Sequence, residues 1–214
     1  MDVFPNTDQV LTLTWEEAVL DSEQFDDILT GAIPANLQLW DINTDELSLV
    51  KEGGIYGRFS PSGNELVTLS ANPNAPQLEL STLLTNETII TQPAYAKTGE
   101  YAVDVIAFTS FSPNGRFLTY YSPEQDLVVY DIALGTFLPS VTAVPFTPVW
   151  SPDNGRFVYQ DSENGLSIYE IDSQTTYSLT QAGCDELRNP QWSFDGAYLS
   201  VDVPCGGTAV LQLP

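Results

Sequence analysis

Trp150-Ser151-Pro152-Asp153-Asn154-Gly155-Arg156-Phe157-Val158 is an aromatic residue, a Ser-Pro turn opening, a polar pair, a glycine and a fresh apolar run. Such a string reads as the end of one strand, a tight reversal and the start of an antiparallel strand. Proline presets φ at the second turn position, Asn or Asp bonds locally to the backbone, and glycine takes the positive φ that reverses the chain. The same punctuation stands at Phe59-Ser60-Pro61-Ser62-Gly63, Phe111-Ser112-Pro113-Asn114-Gly115 and Trp192-Ser193-Phe194-Asp195-Gly196. A second mark follows it in Leu127-Val128-Val129-Tyr130-Asp131-Ile132 and Leu166-Ser167-Ile168-Tyr169-Glu170-Ile171. Leu37-Gln38-Leu39-Trp40-Asp41-Ile42 is an earlier copy, and Leu78-Glu79-Leu80-Ser81-Thr82-Leu83 a weaker one. Asp131 lies 20 residues after Phe111, and Glu170 lies 20 after Trp150.

Counting back from Asp41 by about that distance lands on Leu20, in a stretch (19–25) that reads as a worn copy of the turn without its glycine. The anchors Leu20, Phe59, Phe111, Trp150 and Trp192 are then spaced 39, 52, 39 and 42 residues apart. That period is close to the ~40–45 residues of a four-stranded propeller blade. No helical periodicity runs for long, and 15 Pro and 14 Gly punctuate β-branched and aromatic runs. The expected fold is therefore an all-β β-propeller forming a single domain over 1–214. Its five four-stranded blades fall near residues 16–50, 55–91, 104–140, 145–180 and 187–214. The last unit stops at its third strand, while residues 9–15 form a strand with no unit of their own. Pairing 9–15 with the last blade would close the ring and cover two exposed edges. The alternative is an open fragment of a six- or seven-bladed propeller.

Composition narrows the function. The 214 residues carry 43% hydrophobic content, enough for a packed core, and a net charge of −23. A field of that sign repels phosphate backbones and anionic lipid, so no nucleic-acid partner is expected. No histidine is present, which excludes Ser-His-Asp and Cys-His mechanisms. No run reaches the roughly 18 apolar residues of a spanning helix, so no membrane insertion is expected. The first ten residues lack a basic and then apolar leader pattern; Met1, the only methionine, fits either a natural start or a chain whose export signal was removed.

The run aromatic-Ser-Pro-Asp/Asn-Gly-Arg-Phe-Val/Leu, at residues 150–158 and 111–118, resembles the WD-like repeats of the TolB-like propellers of the periplasmic Tol system. The likeness covers four units well and the first poorly. It implies a blade scaffold of the kind used for protein recognition and for gating peptidases, and it points to a periplasmic or extracellular location. The Tol-system family has a six-bladed ring and a separate N-terminal domain, neither of which fits this reading, so its partners do not transfer.

In a four-stranded antiparallel blade, the loop entering the first strand and the loop joining the second and third emerge on one face. Cys184 and Cys205, the only cysteines, occupy those two loops of the last unit. A disulfide between them is expected, worth roughly 3 kcal/mol, with two free thiols as the alternative. A bridge would imply an oxidising compartment.

Asp41-Ile42-Asn43-Thr44-Asp45 superficially matches a calcium loop, but Glu46 stands where the sharp-turn glycine belongs. Asp41 also recurs as Asp131 and Glu170, so a solvated hairpin is the better account and no metal or cofactor is expected. Glycosidase-like catalysis needs paired carboxylates on the first strands of the blades. The four well-marked units carry none there; only Glu16 and Glu17 of the worn unit offer any. No catalytic residue is therefore assigned. Asn86-Glu87-Thr88 fits a glycosylation acceptor, a triplet common by chance.

The excess length between the second and third anchors falls at residues 91–104, and insertions into a repeat tend to mark the working surface. Tyr95 and Tyr101 are amphipathic residues of the hot-spot type, Lys97 is one of only six cations, and Tyr56, Arg58 and Arg188 are placed near the same mouth. The expected function is a non-catalytic scaffold, monomeric and exported, that binds a protein or peptide through these residues. The alternatives are a carbohydrate-active or other hydrolytic enzyme using channel carboxylates, and an accessory portion of a larger protein.

Overall fold

The structure, a computed structural model, describes residues 2–3, 8–15, 35–72, 74–98, 105–106, 108–163, 165–179, 187–203 and 206–213. Every regular element among them is a strand, and each sheet is an antiparallel meander. The first sheet runs β1 (Asp2–Val3), β2 (Gln9–Trp15), β3 (Ala35–Asp41) and β4 (Glu46–Glu52); the second runs β5 (Gly54–Phe59), β6 (Glu65–Ser70), β7 (Gln77–Thr82) and β8 (Thr88–Pro93). A two-stranded ribbon follows, β9 (Lys97–Thr98) with β10 (Val105–Ile106). The third sheet holds β11 (Ser110–Phe111), β12 (Phe117–Tyr121), β13 (Asp126–Asp131), β14 (Thr136–Phe137) and β15 (Val141–Thr142), the last two both pairing with β13. The fourth holds β16 (Val149–Trp150), β17 (Arg156–Gln160), β18 (Leu166–Glu170) and β19 (Thr175–Leu179). The fifth has three described strands, β20 (Arg188–Trp192), β21 (Tyr198–Asp202) and β22 (Thr208–Gln212). The chain divides into two compact units, Met1–Ala107 with the first two sheets and the ribbon, and Phe108–Pro214 with the other three.

The first sheet corrects the expected closure. Residues 9–15 do not pair with the last sheet: β2 pairs along its whole length with β3, from Gln9↔Asp41 to Trp15↔Ala35, and its other edge takes β1 at Asp2↔Leu11 and Val3↔Val10. Both edges of β2 are thus used within the first sheet. The register explains the choice, because Leu11 and Leu37 land on one face. There they form a buried cluster with Phe59 and Leu66 of the second sheet, backed by Leu39, Val50 and Leu83. Burying each such leucine contributes about 1.5–3 kcal/mol. Gly57 makes the close approach possible: a Cβ there would sit 2.6 Å from Leu37 Cδ2 and closer still to Leu11 Cδ2. The worn turn around Leu20 lies outside the described residues.

The repeated turns fold alike because the serine acts twice. In the turns opened by Ser112, Ser151 and Ser193 the Oγ accepts the N–H of the residue five further on, at 3.0, 3.0 and 2.9 Å. The same hydroxyl donates to the side chain two further on, Asn114, Asp153 or Asp195, at 2.7, 2.5 and 2.6 Å. That side chain in turn accepts a backbone N–H two residues later. Ser60 follows the same plan with Glu65 N–H and Ser62. Phe194, standing where the other turns have proline, is 99% exposed, so the polar bonds and not the proline hold the shape. The positive φ falls at Gly63, Gly115 and Gly196, but in the Trp150 turn it falls at Asn154 (φ 66) and not at Gly155. Asn154 N–H bonds Ser151 O, as Gly115 N–H bonds Ser112 O; asparagine tolerates this region better than most residues.

In the second unit, Trp150 links the third and fourth sheets by stacking on Phe117 (5.7 Å, 9°) and packing on Phe157 (4.9 Å). Tyr121 is fully buried and its hydroxyl meets the carbonyls of Val144 and Phe146 at 3.1 and 3.0 Å. Val158, Leu166 and Ile168 pack with Leu199, Val201 and Val203, joining the fourth and fifth sheets.

Candidate recognition site

Two of the residues singled out from sequence share one strand. Tyr56 and Arg58 stand two apart on β5, hence on one face, and the Arg58 guanidinium lies 5.9 Å from the centre of the Tyr56 ring. Both are half-buried. Beyond β8 the chain is pinned by Ala94, which is 2% exposed and whose N–H bonds Pro76 O at 2.8 Å. Tyr95 is half-buried and Lys97 exposed. The described part of the stretch expected as a loop, residues 91–98, includes strand. Thr91–Pro93 complete β8, and Lys97↔Ile106 and Thr98↔Val105 pair as the ribbon.

Arg188 opens β20 in the second unit, exposed and opposite Asp202. Tyr56, Arg58, Tyr95, Lys97 and Arg188 all engage other groups of the protein. Tyr101, Cys184 and Cys205 lie outside the described residues. The segment proposed as a hairpin at Asp41 is one: Asp41 Oδ1 accepts the N–H groups of Asn43 and Thr44 at 2.9 and 3.2 Å, and Asp45 accepts from Trp40 Nε1 at 3.0 Å. These carboxylates cap the turn. Among the described residues, no three His, Cys, Asp or Glu side chains gather as a metal would require, and no helix is long and apolar enough to cross a membrane.

Charge is organised most tightly at residues that sequence reading treated as repeat marks only. Asp131 is 1% exposed and holds Arg116 by Nη2 at 2.6 Å and Nε at 3.1 Å, while Leu134 N–H donates to its other oxygen at 3.1 Å. Burial pushes its carboxyl up, but the Arg116 and backbone bonds outweigh burial and hold it below the usual carboxylate range. Arg156 donates to Gly196 O at 3.0 Å and lies 5.4 Å over the Trp192 ring, fastening the fourth sheet to the fifth. The arginine following the turn at 116 and 156 was the visible signal. These groups serve the frame, since each is consumed by neighbours within the unit.

Among solved structures, the chain is similar to TolB from Acinetobacter baumannii, with 16% identity, 83% of this chain and 46% of that one covered, and a TM-score of 0.51. It is similar to the Cps50 (Swd1) β-propeller domain of Myceliophteria thermophila at 17% identity, covering 76% and 53%, with a TM-score of 0.54. An oligogalacturonate lyase in complex with manganese matches at 15% identity, covering 96% and 62%, with a TM-score of 0.64. The fold is thus that of TolB-like and WD40 propeller blades, and the chain spans between 46% and 62% of the length of these structures. No family model and no curated protein matches.

Proposed function

We propose that this protein is a non-catalytic recognition scaffold, its five sheets serving as consecutive blades and the inserted ribbon Lys97–Ile106 as the element that meets a protein or peptide partner. The observation that carries the reading is the ribbon itself. It departs from an otherwise regular repeat, is paired in its own right, and is entered through the buried Ala94 with Tyr95 and Lys97 beside it. A paired ribbon presents side chains at lower entropic cost than a free loop. The setting is an exported one, in line with the TolB-like repeats and the expected Cys184–Cys205 bridge.

Pull-down from the native host with the full chain and with Tyr95→Ala/Lys97→Ala tests this. A partner retained by the wild type should be lost or weakened by about tenfold or more in the variant. Equal retention by both would overturn the assignment. The fold likeness to the oligogalacturonate lyase favours a second reading, an enzyme. The first strands β5, β11, β16 and β20 contain no Asp or Glu, so that reading has to find its acids elsewhere, and glycan turnover abolished by one Asp or Glu substitution would establish it.

A further inference from the structure

The first unit contains a cavity of about 250 Å³ between β4 of the first sheet and β6–β8 of the second. Three features of its wall point to a ligand. Thr68 is 2% exposed, and its hydroxyl has no hydrogen-bond partner. A buried hydroxyl left without a partner loses the hydrogen bonds it made to water, and an orphan in a native core calls for an explanation. Lys51 and Glu79, both in the cavity wall, form an ion pair at 2.5 Å, three-quarters buried. The rest of the polar lining is hydroxyl and amide, from Ser81, Thr82, Thr88 and Asn86, with Val50, Leu66 and Leu83 on the apolar side.

The strand register explains the gathering. Thr68↔Glu79 and Leu66↔Ser81 are cross-strand partners, so these four side chains share the face of the second sheet that looks onto β4. On every other repeat the inward positions of the second strand are apolar or aromatic, or, as with Thr119, hydrogen-bonded to backbone (Thr119 to Ser110 O at 3.0 Å). Thr68 alone among these described positions is polar, buried and unpaired.

We infer that this cavity binds a neutral polyhydroxylated molecule of monosaccharide size. Charge sets the first limit. Lys51 and Glu79 already neutralise each other, so a charged ligand would leave one buried charge uncompensated. The lining sets the second. Hydroxyls that both donate and accept are best met by hydroxyls, and the Lys–Glu pair can accept from and donate to two adjacent OH groups without separating. Volume sets the third: at about 30 Å³ of liquid per water the space matches about eight waters and falls below the ~300 Å³ at which drug-sized sites begin, which suits one ring and not a chain. The site is separate from the ribbon and does not depend on its role.

Titration calorimetry and thermal melts of the full chain test this with D-glucose, D-galactose and sorbitol, against glucuronate and glucosamine as charged counterparts. At least one neutral probe should bind and raise Tm, and the charged ones should not. Thr68→Val keeps the shape and removes the orphan hydroxyl, so it should leave the ligand-free Tm equal or higher while weakening binding about tenfold. Glu79→Gln should weaken it as well. Absence of binding by all three neutral probes at tens of millimolar, preference for a charged probe, or binding unchanged in both variants would each overturn the inference.

Discussion

The Asp131 carboxylate stays ionised in a nearly dry site because Arg116 and the Leu134 N–H supply more than burial removes. Its folded pKa is depressed, so the stability it contributes is full above the ordinary carboxylate range and is lost as pH falls through the lowered value. Asp131→Asn should therefore destabilise by about 1–3 kcal/mol at neutral pH, discounted for the exposed side of Arg116. The gap between variant and wild type should shrink on acidification below about pH 4. Comparing the two in urea at several pH values removes the general effect of the −23 charge; a gap that does not change with pH would contradict the assignment. At this scale the sequence was partly legible. Ser112, Ser151 and Ser193 sit where the motif put them, whereas the positive φ at Asn154 was hidden because Asn-Gly offers two residues able to adopt it. The orphan hydroxyl of Thr68 was invisible, since Leu-Val-Thr-Leu reads as an ordinary β run until the facing sheet is known.

Strands and sheets show both the strength and the limit of repeat reading. The three units opened at Phe59, Phe111 and Trp150 carry both the turn and the second mark, and their strands fall where those marks put them, because the turns are fixed by local chemistry. β2 pairs with β3 and not with the last sheet, and the sequence pattern alone does not separate the two. Its turn signal is degraded, and a strand of alternating apolar residues can pair equally well, on pattern alone, with either neighbour in a repeat. Tertiary packing decided it, through Leu11 and Leu37 against Gly57 and Phe59. Deleting residues 9–15 should accordingly strip amide-exchange protection from Ala35–Asp41 and leave Thr208–Gln212 unchanged. Loss of protection at Thr208–Gln212 with Ala35–Asp41 intact would restore the discarded pairing. The ribbon was legible as excess length but not as strands, since two-residue pairings leave too short a pattern to detect.

For the molecule as a whole, the chain offers no imidazole and carries a net charge of −23, while the fold shared with TolB and with a lyase leaves scaffold and enzyme to be separated by sites. The frame is built from repeats held by turn serines, arginine–carboxylate pairs and packed aromatics, and the ribbon is additional to that frame. Its removal should cost recognition and not folding. The direct measurement is to replace residues 97–106 by a short glycine turn and to determine, on one preparation, both Tm and affinity for the partner recovered by pull-down. A Tm within a few degrees of wild type together with lost affinity is the result expected; retained affinity with the ribbon gone would contradict the account.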